Sequence, residues 1–309
     1  MIARHNAVIL CLVLTAGGLS GCILGNRPMF VDRGSRDDEK TFYLDGAGNY
    51  GFGKESVPLG LADGGYKGHV EHYIWTTYLG PLVDQLSYNH NRREGRGLAR
   101  KIEAYLDAKP GADVNIIALS AGTGVAIFAL EELRPGYTVD HVVLLSSSLS
   151  SNYDLTRALR HTRGGIYFFW SPDDPVLQGV VPIVGTVDRA DAAPAGTWGA
   201  TLPYHASAET RQLYYERVHN IRWSPESFLS DPLRLQHAGS ISRSVIRDKV
   251  APILLAKTID RTRGTTRPAA GATVGSKPPP RPQVKGRPPV APRPPARGST
   301  SGPGVRKAD

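Results

Sequence analysis

The stretch VNIIALSAGTGVAIFAL, residues 114–130, carries a different kind of order on each side of one serine. Before Ser120 stands a nearly unbroken apolar run, the pattern of a strand covered on both faces. After it, Val125, Phe128 and Leu133 recur at helical spacing. Ser120 is therefore placed at the carboxyl end of a buried strand and at the start of a helix, which is where open α/β sheets hold their ligands. Ala118 and Gly122, two residues to either side, are small enough to permit a sharp strand-to-helix turn that leaves the hydroxyl clear of the main chain. A serine after a strand also caps helices for purely structural reasons, so the motif needs support from the rest of the chain.

Working outward, TFYLDGAG (41–48), HVEHYIW (69–75), HVVLL (141–145), IYFFW (166–170) and LYYERVHNIRW (213–223) read as further strands. Leu98, Ile102, Tyr105 and Leu106 fall at helical spacing, as do Ile241, Val245, Ile246 and Val250. Strand and helix in alternation predict an α/β fold over residues 38–258, a mostly parallel sheet with helices on both faces. The 309 residues suffice for one such domain of about 200 to 250 residues with ends to spare. There is no internal repeat.

The segment ALSAG resembles the G-x-S-x-G nucleophile elbow of the α/β-hydrolase superfamily, with Ala118 in place of the first glycine. A serine hydroxyl is a weak nucleophile and needs a base, a group to orient that base, and donors for the oxyanion. The resemblance implies the chain order serine, acid, histidine. The acid is expected in SPDDPVL, directly after IYFFW: Asp174, because D-P-V-L is similar to the family's acid followed by an apolar pair, with Asp173 as its rival. Of nine histidines, His205, His219 and His237 follow the acid. His237 is preferred because HAGSISRSVIRDKVAPILL resembles the family's closing H-x-G and final helix. His69 and His72, three apart on a strand, point to opposite faces and make a poor metal pair.

For the oxyanion the resemblance implies the N–H of Ala121 together with one from Asp45-Gly46-Ala47-Gly48, a turn similar to the H-G-G-G type, with Gly46 or Ala47 as donor. Asp45 stands where histidine often does, and a carboxylate there must be turned away and hydrogen-bonded. Residues 178–210 read as an insertion, an ordered lid or pocket wall. The implied function is a serine hydrolase with a Ser120–His237–Asp174 triad, working through an acyl-enzyme without metal or organic cofactor. Its expected substrates are esters, small or lipid-like. Acyl transfer to an alcohol would use the same residues, and an inert hydrolase fold serving as an envelope scaffold is the alternative.

The two ends differ from the middle. Residues 1–21 carry Arg4 and an apolar stretch too short to span a bilayer, the pattern of an export signal. Leu19-Ser20-Gly21-Cys22 resembles the bacterial lipobox, which implies an acylated Cys22, a linker over 22–37 and a membrane-anchored protein of the bacterial cell envelope. Cys11 and Cys22 are the only cysteines, so removal of the signal leaves no internal disulfide. Residues 259–309 are rich in Pro, Gly and Arg and read as a disordered extension. Eleven Arg and Lys stand against Asp309 from residue 261 onward, so residues 261–309 carry +10 of an overall +9 and residues 1–260 carry −1. Such a tail suits an anionic envelope polymer, whereas nucleic-acid binding lacks any accompanying fold signature.

Overall fold

The computed structural model describes residues 35–224 and 236–256. The expected export signal, Cys22 and the basic tail lie outside the described residues, as do the expectations that rest on them. Six strands form one sheet: β1 (Arg36–Leu44), β2 (Gly68–His72), β3 (Asp113–Leu119), β4 (Val139–Leu145), β5 (Thr162–Trp170) and β6 (Val218–Arg222). Their order is β2-β1-β3-β4-β5-β6, and every neighbouring pair is parallel. This is an α/β fold.

The apolar runs of the inner strands are continuous because those strands are covered twice. Phe42, Ile116, Ala118, Val142, Leu144 and Phe168 enter one core, which also takes Leu98 and Ile102 from the helix Tyr88–Ala108 and Val125 from the helix Gly122–Glu132. The alternate residues Tyr43, Ile117, Leu119, Val143, Leu145 and Phe169 enter a second core with Val57, Leu61, Ile246 and Val250. The period of two along each strand thus feeds both faces.

Two expected boundaries shift. β1 begins at Arg36, inside the segment read as linker. The strand expected over 213–223 is half helix: Ala208–Arg217 is helical and β6 starts only at Val218. Ser207 caps that helix by accepting from the Thr210 N–H, and Tyr214 buries its ring while its hydroxyl donates to the Tyr153 carbonyl at 2.7 Å. Cap and packing override the aromatic strand preference of LYYER.

The chain enters the sheet at β1, runs out to β2, and returns past β1 to β3. The carboxyl ends of β1 and β3 therefore flank the point where the strand order reverses, and a crevice opens between their following loops.

Candidate active site

Ser120 follows β3 directly and adopts a left-handed backbone with φ of 51°. A non-glycine residue there is strained by about 1 kcal/mol or more, so the surroundings must hold it. Its N–H donates to the Leu145 carbonyl at 3.0 Å, and its own carbonyl accepts from the Thr123 N–H and hydroxyl at 3.1 and 2.5 Å. Gly122 has no room for a side chain, because a Cβ would collide with the Asp45 carbonyl. Gly46 lies so close that a Cβ on it would stand 3.3 Å from the Cβ of Ser120. The loops after β1 and β3 are thereby locked together.

Asp174 follows β5 and caps the helix Pro175–Gly179, its Oδ1 accepting from the Val176 and Leu177 N–H groups at 3.1 Å each. Its Oδ2 lies 2.8 Å from Nδ1 of His237. The side chains are 1% and 12% exposed, so the pair is almost dry. Burial pushes the Asp174 carboxyl up, but the His237 imidazole, the capping amide of Leu177 and the Ser146 hydroxyl together hold it below its ordinary value. Asp173 is exposed and does not share this pocket. His205 is exposed beside Tyr204, and His219 stacks on Tyr167 in the sheet, so of the three candidates His237 is the one brought to the acid.

The turn after β1 is organised by its aspartate. The Asp45 carboxylate accepts from the Tyr43 hydroxyl at 2.8 Å and from the N–H groups of Gly46, Gly51 and Phe52 at 2.9, 2.6 and 3.1 Å. It is buried and fully occupied, and so turned away from any oxyanion. The Gly46 N–H is thereby committed to Asp45, which leaves Ala47 as the remaining one of the two expected donors. A second buried carboxylate, Asp84, accepts from the Gly48 N–H at 2.8 Å and from Thr76 and Thr77, tying the same turn to the chain after β2.

Ser120, His237, Gly46 and Ala47 line one cavity of about 1080 Å³. Val180, Val181 and Val184 form one wall, and Leu79 and Leu82 another, while Tyr78 and Leu79, 63% and 74% exposed, stand at its rim. The expected insertion thus supplies a pocket wall with its first part. In its second part residues 195–197 are buried and pinned to the core: the Ala195 and Gly196 N–H groups donate to the Leu149 and Ser147 carbonyls at 2.7 and 2.8 Å, and the Ser171 N–H donates to the Gly196 carbonyl at 2.8 Å, while Trp198, Leu202 and Tyr204 are exposed.

Sequence reasoning passed over Ser146 and Ser240, both fully buried. Ser146 directly follows β4 with φ of 45°, and its only sequence signal is its place at the head of the run Ser146-Ser147-Ser148 after HVVLL. Among the described residues no group of three or more His, Cys, Asp or Glu side chains could hold a metal ion, and no helix is long and apolar enough to cross a membrane.

No protein-family model matches this chain. No curated protein matches it either.

Proposed function

We propose that the protein is a serine hydrolase of the α/β-hydrolase type, acting on carboxylic esters through an acyl-enzyme. The observation that carries this reading is the conjunction, in one cavity, of a serine on a strained strand-to-helix turn and a histidine held by a buried aspartate. In the proposed reaction, Ser120 Oγ passes its proton to Nε2 of His237 and bonds to the ester carbonyl carbon. Asp174 holds the imidazole by its Nδ1–H, and the Ala121 and Ala47 N–H groups face the developing oxyanion. Collapse breaks the bond to the leaving alkoxide, which takes the proton from His237. Water, deprotonated by the same base, then releases the acid and frees Ser120.

The cavity wall favours an ester with an aliphatic or similarly apolar part. Along a series of p-nitrophenyl esters, kcat/KM should rise by about fourfold per methylene while the chain is still entering that wall. A flat profile from butyrate to dodecanoate would remove the apolar substrate from the proposal.

Acylation of Cys22, an envelope location and an anionic polymer as partner of the basic tail belong to the same proposal and rest on the sequence. The deciding experiment treats full-length protein with a fluorophosphonate probe. The parent should label, Ser120→Ala and His237→Ala should not, and in the same cells a palmitate analogue should enter the parent and not Cys22→Ser. A folded parent that resists the probe would refute the hydrolase reading.

A further inference from the structure

Two serines outside the cavity lining bind the histidine to the sheet. Ser146 Oγ lies 3.2 Å from Ser240 Oγ, and Ser240 Oγ donates to the His237 carbonyl at 3.2 Å. Ser146 is also anchored by its backbone, whose N–H donates to the Phe169 carbonyl at 3.2 Å. The residue that follows β4 is therefore linked through Ser240 to the backbone of His237, the partner of Asp174 in the 2.8 Å pair.

The geometry gives this connection a purpose. The helix Gln236–Gly239 that carries His237 is a single turn, too short to fix its own orientation. The Ser146–Ser240 link joins the end of the sheet's β4 to the His237 backbone. Each hydroxyl has one proton, and the relay runs one way: Ser146 donates to Ser240, and Ser240 donates to the His237 carbonyl. Neither serine lines the cavity, so neither is a nucleophile toward a bound substrate.

The backbone of Ser146 supports a role beyond packing. Its left-handed φ of 45° is one that glycine would adopt without strain. A position selected only for its turn would tolerate glycine at least as well, whereas a position that needs a hydroxyl would not.

We propose that Ser146, acting with Ser240, is a positioning residue that sets the orientation of the His237–Asp174 pair. The inference rests on the hydrolase reading for its kinetic consequence and on geometry alone for its structural one. The test compares full-length parent, Ser146→Gly and Ser240→Ala. Glycine relieves the strained φ, so Ser146→Gly should keep the parent's melting temperature within a few degrees. With a p-nitrophenyl ester, kcat should fall about tenfold in both variants with KM unchanged, because the substrate wall is untouched. Independently of catalysis, the Nδ1–H proton of His237, moved downfield in the NMR spectrum by its bond to Asp174, should shift or broaden in both.

Unchanged kcat and an unmoved Nδ1–H signal in folded variants would overturn the inference. A parent inert to fluorophosphonate would sink the hydrolase reading instead, and the NMR signal would still decide the tether.

Discussion

Asp174→Asn should leave the protein folded and lower kcat toward an ester by about 10⁴-fold. The carboxylate now serves two clients, capping a helix with Oδ1 and holding His237 with Oδ2. An asparagine has one oxygen. If that oxygen keeps the cap, its NH₂ faces Nδ1 and enforces the tautomer that leaves Nε2 protonated and unable to accept from Ser120. The same substitution has a signature in pH. The folded carboxyl is held below its ordinary 3.8, so it contributes stability that is present above that value and lost as pH falls through the lower, folded one. The gap in melting temperature between parent and Asp174→Asn should therefore be widest near neutrality and shrink below about pH 4. A gap that stays constant down to pH 2 would contradict the stabilising pair, and a kcat within tenfold of the parent would contradict its catalytic use.

Asp45→Ala is the change expected to cost most stability. It strips the acceptor from four donors at once: the Tyr43 hydroxyl and the amides of Gly46, Gly51 and Phe52. With the site buried, each abandoned donor costs on the order of 1 kcal/mol, so urea denaturation should register a loss of about 3 to 5 kcal/mol. Fluorophosphonate labelling should fall with it, because the Ala47 amide loses the frame that aims it. A loss under about 1 kcal/mol, with labelling at the parent's rate, would show that the turn holds its shape without its aspartate.

The sheet was legible because burial on both faces writes itself as uninterrupted apolar runs, as in IIAL and VVLL. Residues 213–217 misled because Leu213, Tyr214 and Tyr215 have strand preference, and what overrode it, the Ser207 cap and the Tyr214 hydroxyl bonds, depends on chain folded elsewhere. Ser120, Asp174 and His237 could be found because each stands at a recognisable junction: after a strand, in a turn, before a terminal apolar helix. The Asp45 and Asp84 hubs could not. Their donors are mostly backbone amides, and an amide has no letter in the sequence. Ser146 and Ser240 were hidden for a related reason, since nothing local relates two serines 94 residues apart until β4 and the closing helical segment meet.

The chain that leads away from the wall of Val180, Val181 and Val184 is fastened to the rest of the fold. The Gln85 amide donates to the Gly185 carbonyl at 2.9 Å, the Asp188 carboxylate accepts from the Ser150 N–H and hydroxyl at 2.8 and 2.5 Å, and Ala195 is bound to Leu149 at 2.7 Å. Such a segment is not a gate. A molecule arriving at the rim meets a surface already in its final shape, so capture is governed by encounter and orientation and not by waiting for a rare open form. Stopped-flow binding of an aliphatic ligand would accordingly follow a single phase whose rate climbs linearly with ligand concentration, without the plateau that a slow conformational step imposes.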